Sequence, residues 1–313
     1  MKKNKLLSIT SLTVAGLYLY NKYTNSKAKI LHSPNQYSDF QYKWRYGDIY
    51  YTKSGNGTPL LFIHDLTPGS SSFEWQYLIS EFEKEHTVYL LDLIGCGRSE
   101  KPCFEYTNFL FVQLIRDFSS DIIKEKCSVI TSGASSSIAL MTALYKEDIF
   151  DKIIMINPNS ITKEKQTVSK ENYYKNKFYN LPIIGTFCAN RQNKREDYED
   201  IFYNSYFNNP YKTSTSFIDS YYSSYHNNNT SKSLFSSLCN NYTCIDISIA
   251  LKKLTHPIFI IGGENESNIT ETVNEYLLEK SDIQFKSIEN AKHLPQLECP
   301  ELLISAIDDS LKK

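Results

Sequence analysis

The chain has no excess of charge of either sign: 34 Lys and Arg stand against 35 Asp and Glu over 313 residues, a net charge of −1 with His neutral. That balance offers no basic surface for phosphate backbones, so nucleic acid is excluded as a partner. Paired cysteines are missing as well. The seven Cys are odd in number and scattered without C-x-x-C spacing, which excludes a disulfide framework and a structural zinc site and suits a reducing compartment. No internal repeat is visible, so a repeat array is out. A long hydrophobic run is also lacking. The weakly polar stretch from Leu6 to Tyr20 spans 15 residues, short of the roughly 17 to 25 needed to cross a bilayer as a helix.

That stretch lies between MKKNK and NKYTNSKAK, and no small-x-small cleavage site follows at a convincing distance. Residues 1–27 are therefore expected to form a retained hydrophobic segment that touches a membrane, with Tyr18, Tyr20 and Tyr23 at the interface. Lys on both sides leaves its orientation open. The segment before Tyr23 is expected to pack little against the rest; an amphipathic helix docked on the domain is the alternative. The expected location is membrane-associated or cytoplasmic, in a bacterium, rather than secreted. Heavy use of Lys, Asn, Ile and Tyr fits the codon bias of an AT-rich genome, so the Asn- and Tyr-rich runs near 203–243 carry little information.

From Gln41 the pattern is regular. QYKWR and GDIYYTKSGNGTPLLFIHD give two alternating strands, a turn at SGNG and an apolar strand from Leu60 to Ile63 that ends in His64-Asp65. Trp75, Leu78, Ile79 and Phe82 are spaced as one face of a helix. The strand TVYLLDL runs into the Gly-rich loop IGCGRSEKP, a helix follows over about 108–126, and Lys152 to Ile156 form a further strand closed by Asn157-Pro158. Strands alternating with helices imply a parallel sheet with helices on both faces.

The chain is organised around CSVITSGASSSIALMT, residues 127–142. Ser128 to Thr131 suit a short buried strand, residues 132–135 are all small, and apolar residues at 138, 140, 141 and 144 suit one face of a helix. A strand, a sharp turn and a helix lift the residue at the apex above the edge of a sheet, where a nucleophile has to sit.

The ordered segments LLFIHD, LLDLIGCGRSEKP, VITSGASSS, KIIMINP, PIFIIGGENE and AKHLPQLECPE together resemble the α/β-hydrolase superfamily over about residues 41–311. The resemblance implies an α/β fold: a mostly parallel sheet of about eight strands flanked by helices. Residues 41–158 and 251–311 would form the core, and 159–250 a helical cap after strand six. The Gly-rich loop then takes a structural role at a tight turn. LPIIGTF resembles a cap segment, and cap aromatics such as Tyr173, Tyr174, Phe178, Phe202 and Tyr206 would roof an apolar cavity or pack the cap itself.

In that superfamily the elbow reads G-x-S-x-G, and two registers fit here. Strand spacing puts Gly133 at the apex, with no nucleophile. A slide of two residues reads G-x-S-x-S, makes Ser135 the nucleophile and gives the N–H of Ser136 to the oxyanion hole. His293 in NAKHLPQLECPE resembles the catalytic histidine, and Glu266 is the candidate acid, with Glu264 close by. Leu66 would offer the other oxyanion N–H. Asp65 stands where the superfamily has Gly, and its carboxylate counts against ordinary acyl transfer unless it turns away to local backbone. His64 is read as structural.

Two functions follow from the resemblance. One is a serine hydrolase acting on an ester or lipid-like small apolar substrate through Ser135, His293 and Glu266. The other is a catalytically degraded member that binds a ligand or partner. No metal or organic cofactor is implied by either.

Overall fold

The computed structural model describes residues 2–30, 39–227 and 230–313, with side chains of the first helix described from residue 13 to residue 28. Its centre is one eight-stranded sheet in the order β1-β2-β4-β3-β5-β6-β7-β8, formed by β1 (Asp39–Trp44), β2 (Gly47–Ser54), β3 (Thr58–Ile63), β4 (His86–Leu91), β5 (Cys127–Ser132), β6 (Phe150–Ile156), β7 (Ile258–Gly263) and β8 (Gln284–Ile288). β1 and β2 pair antiparallel, β2 meets β4 antiparallel, and the remaining neighbours are parallel. The expected mostly parallel sheet is therefore present.

The central strands are apolar nearly throughout because helices cover both of their faces. Leu61, Ile63, Val129 and Ile153 pack with Phe111 and Leu114 of helix Asn108–Phe118 and with Ile138 and Leu140 of helix Ser135–Tyr145. Leu60, Phe62, Ile130 and Ile154 point the other way, onto Trp75, Phe82 and the C-terminal helix Pro300–Lys312 through Leu303 and Ile307. The stretch from Trp75 to Phe82 buries its expected face, but as two short pieces, a 3₁₀ turn Ser72–Trp75 and a helix Ile79–Phe82. Bonds from Gln76 N to Phe73 O at 3.2 Å and from Leu78 N to Trp75 O at 2.9 Å give it the tighter winding.

Between β6 and β7 the described chain is helical. Phe202, Phe207, Phe217 and Tyr221 of this insertion cluster with Leu294 and Leu297, which follow His293 in sequence. Most of its aromatics thus pack the insertion itself, Tyr173, Tyr174 and Phe178 are exposed, and Tyr206 is the one that meets His293.

The first helix, Lys2–Ile30, departs from expectation. Asn21, Thr24, Asn25 and Ala28 are buried, Asn21 Nδ2 donates to Ile183 O at 3.1 Å, and Asn190 Nδ2 donates to Asn21 Oδ1 at 3.2 Å. Tyr20 meets Phe187 edge-on at 5.2 Å. Its C-terminal half is docked on the insertion, so it packs more than its composition suggests. The side chains of residues 6–12 lie outside the described residues, and among the described residues no helix is long and apolar enough to cross a membrane.

Deleting residues 1–28 should therefore lower the unfolding midpoint. The two Asn21 hydrogen bonds contribute about 0.5–1.5 kcal/mol each, and a circular dichroism melt that stays in place on deletion would contradict this docking.

Candidate active site

β5 ends at Ser132 and the following helix begins at Ser135, which leaves Gly133 and Ala134 as the turn. Gly133 has φ +55° and its N–H donates to Ile156 O at 2.9 Å, tying the apex to β6. Left-handed backbone is the conformation that glycine adopts without cost. Of the two registers open in the sequence, the one with Gly133 at the apex is therefore the one adopted.

Ser135 is not at the apex, a correction to the nucleophile expected there. It lies buried in the first turn of the helix, and its hydroxyl donates to the His64 carbonyl at the end of β3. Ser136 is no oxyanion donor either: its N–H returns to Gly133 O at 3.2 Å, and its hydroxyl is 3.0 Å from Thr131 Oγ1. The slide to G-x-S-x-S would need a strand two residues longer, and β5 already stops where its bonds to β6 end.

What stands above Gly133 is the carboxylate of Asp65. A Cβ on Gly133 would lie 2.0 Å from Asp65 Oδ1 and 2.7 Å from Oδ2, so this side chain fills the space that an apex side chain would take. Oδ1 accepts the N–H of Leu66 at 2.7 Å and the N–H of Ala134 at 2.8 Å. The N–H of Leu66, the residue expected to offer an oxyanion donor, and that of Ala134, directly after the apex, thus point at one spot, and Ser136 has no part in it. Asp65 does bond to local backbone, as an Asp at a turn does, but in doing so it occupies the hole.

The other oxygen faces the histidine. Asp65 Oδ2 lies 3.3 Å from His293 Nε2, and Glu266 Oε1 lies 3.3 Å from His293 Nδ1. His293 and Glu266 are brought together as the sequence suggests. Glu264 is turned to Asn290, whose N–H its carboxylate accepts at 3.3 Å. The loop bearing His293 is held by Asn157 at the end of β6, whose amide donates to Lys292 O and His293 O at 2.8 and 2.9 Å and accepts Gly263 N–H at 2.9 Å. Tyr206 stacks on the imidazole with centroids 4.9 Å apart and a 21° tilt.

Charge follows from this geometry. Burial opposes the charged form of His293, yet hydrogen bonds and charges from Asp65 and Glu266 lift it to about 10. Burial alone would raise Asp65, but His293 and the Ala134 N–H hold it below the usual carboxylate range. Behind it Glu74, fully buried, accepts Asp65 N–H at 3.1 Å and Tyr221 Oη at 2.6 Å. Burial and then the charge on Asp65 push Glu74 up to about 8, which keeps it neutral at pH 7. His64 is structural, as expected: Nδ1 donates to Asp65 O at 2.6 Å and Nε2 accepts Leu93 N–H at 3.1 Å, so the buried ring is neutral.

The resulting arrangement is a carboxylate, an imidazolium and a second carboxylate at the C-terminal ends of β3, β7 and the last loop. The sequence pattern of the alpha/beta hydrolase family matches residues 60–306. The chain belongs to that family. It is 23% identical to a proline iminopeptidase of Heyndrickxia coagulans over 274 residues, 83% of this chain and 93% of that protein. An uncharacterized protein of Mycobacterium tuberculosis (strain ATCC 25618 / H37Rv) is 25% identical over 115 residues, 37% of this chain and 33% of its own, so the chain spans about a third of that relative's length. Among solved structures, a serine hydrolase involved in carbazole degradation superposes with a TM-score of 0.73 at 17% identity, covering 88% of this chain and 99% of that one, a likeness of fold.

Gly133→Ala should cost about 1–3 kcal/mol through overpacking against the pinned Asp65 carboxylate; Asp65→Gly with Gly133→Ser should recover that stability and create a serine that a fluorophosphonate probe labels. The His293 imidazole, followed by NMR, should stay protonated from pH 7 towards about 10. Because its folded value lies above the ordinary 6.5, its contribution to stability is fully present below 6.5 and lost as pH rises through about 10. Asp65→Asn removes the larger cause and should bring the titration down towards neutrality.

Proposed function

We propose that this family member is a hydrolase that does not form a serine ester, in which His293, held between Asp65 and Glu266, moves the protons. The observation behind this reading is the pair of N–H bonds on Asp65 Oδ1, which commits the oxyanion hole to the protein's own carboxylate. An ester or amide carbonyl would have to displace a buried, hydrogen-bonded anion to reach those donors, at several kcal/mol. The esterase and lipase reading through Ser135 is accordingly the weaker one, since the Ser135 hydroxyl is already given to His64 O. The family membership and the hydrolase relative support hydrolysis in general, while substrate and partners are part of the proposal.

A second reading draws on the same filled hole. A charge-balanced Asp65 and His293 with no apex nucleophile would also serve a protein that binds a small apolar ligand or a partner beneath the helical insertion, with or without membrane contact through residues 6–20.

The distinguishing experiment is a hydrolysis screen across esters, amides and epoxides with the wild type and His293→Ala. We expect turnover that resists fluorophosphonate and falls by at least about 100-fold in His293→Ala, the scale of general acid–base catalysis. Turnover that the probe blocks, or that survives the loss of His293, would remove this reading; binding without any turnover would favour the second.

A further inference from the structure

We propose that the first helix and the corner joining helix Lys170–Tyr179 to helix Ile184–Arg191 form one face that binds the surface of an anionic lipid bilayer. This face stands whichever chemistry His293 performs. The first helix docks on the insertion through Asn21, Thr24, Asn25 and Ala28, while Tyr18, Leu19 and Tyr23 are exposed, Tyr23 at 68%. Asn21, which anchors the helix, donates to Ile183 O, and the residues on either side of that point, Leu181 and Ile184, are exposed as well. Tyr174 and Phe178 stand four apart on the preceding helix and so share one of its sides. Both are exposed, Tyr174 at 70%. The sequence points to residues 1–27 for membrane contact, and the structure adds this corner of the insertion.

The corner is fixed with its apolar side chains outward. Ile183 has φ +60°, a backbone state that a β-branched residue seldom adopts, and the N–H of Ile184 closes on Pro182 O at 2.6 Å. Strain of this kind persists only where the surroundings hold it. Here Asn21 Nδ2 lies 3.1 Å from Ile183 O, and Lys232 Nζ donates to Leu181 O at 2.8 Å. A Cβ at Gly185 would lie 2.1 Å from Tyr179 O, so the second helix closes tightly on the end of the first. A corner held from three sides cannot fold Leu181 and Ile184 back onto the domain. Their exposure is built in, and an exposed apolar patch rimmed by polar residues marks a surface with a partner.

Charge selects the occupant. The first helix has six Lys and no acid, helix Lys170–Tyr179 has three Lys and one Glu, and helix Ile184–Arg191 adds an Arg and no acid. The whole chain stands at −1, so the remainder is acidic and the positive charge is gathered on these three helices. A second copy of the chain would bring like charge against like at this face. A nucleic acid would use the lysines and leave Leu181 and Ile184 without a partner. An anionic bilayer answers both: its phosphates meet the lysines, and the boundary between headgroups and acyl chains takes Tyr rings together with Leu and Ile. The run from Leu6 to Tyr20 spans 15 residues, short for crossing a bilayer and long enough to lie along its surface beside the corner.

The test is co-sedimentation of the full chain with phosphatidylcholine vesicles made with and without phosphatidylglycerol. We expect tighter binding to the anionic vesicles, weakened by salt. Lys22→Gln with Lys177→Gln, one lysine from each helix, should lower that affinity by at least about tenfold and leave binding to the neutral vesicles unchanged. Phe178→Ser with Leu181→Ser should lower it by at least about tenfold on both kinds of vesicle. All four side chains are exposed, so circular dichroism melts should stay in place. Tyr174→Trp reports contact directly: the two native tryptophans, Trp44 and Trp75, are buried, so brominated lipid should quench the added indole and spare them. Vesicle binding that leaves that indole unquenched, or that is unchanged in Phe178→Ser with Leu181→Ser, would confine the contact to the first helix and overturn the shared face. Failure to bind either vesicle would overturn it outright, and a dimer in analytical ultracentrifugation that the same corner variant dissociates would give the face to a second copy instead.

Discussion

The structure of the site depends on one exchange of volume: a side chain absent at Gly133 and a carboxylate present at Asp65, in contact across the gap between β3 and β5. Neither half is stable alone. A side chain at 133 would drive into Asp65, and Asp65 without its two N–H partners would be a buried anion of the kind that costs several kcal/mol. The backbone that presents it is held from several sides. Ser135 donates to His64 O, His64 and Ser70 both donate to Asp65 O, and Glu74 accepts Asp65 N–H. The serines that look like a nucleophile motif in the sequence are, in the folded chain, part of the brace that fixes the carboxylate.

The fold was legible because its signals are local. Apolar runs in β3, β6 and β7 mean strands covered on both faces, and the intervening helical spacing supplies the crossovers. His293 and Glu266 were legible too, each standing directly after a recognisable strand or before a recognisable helix. The elbow register was not, because S-G-A-S-S-S offers small residues at every position and a slide of two changes no local propensity. What settles it is the pairing of β5 with β6, where Ser132 stands opposite Ile156 and the next N–H, that of Gly133, closes on the Ile156 carbonyl. The partnership of Asp65 with His293, 228 positions apart, has no local signal at all. The clue that could have found it is the coincidence of two departures: an acidic residue where glycine is usual and a glycine where the nucleophile is usual.

The docking of the N-terminal helix was not legible either. Residues 6–20 read as a membrane-touching run, and just beyond it Asn21 is buried against the insertion, its amide facing a backbone carbonyl and another amide, partners that suit a protein interface. Hydropathy averaged over a helix does not reveal which face has a polar partner waiting for it.

Electrostatics gives the site its resting charge. Two carboxyls, Asp65 and Glu266, meet one imidazole and a third, Glu74, lies behind Asp65, and three negative charges near a single positive one would repel one another in so buried a place. The neutral Glu74 removes one of them: burial and the nearby Asp65 charge keep its proton on up to about pH 8. With Glu74 neutral, the remaining anions share His293, which is why the imidazole holds its proton far above its ordinary range and why Asp65 holds its charge below the usual one. Losing the Asp65 charge therefore acts on two groups at once. It lowers the affinity of His293 for its proton, and it removes the smaller of the two causes that keep Glu74 protonated, leaving burial as the larger.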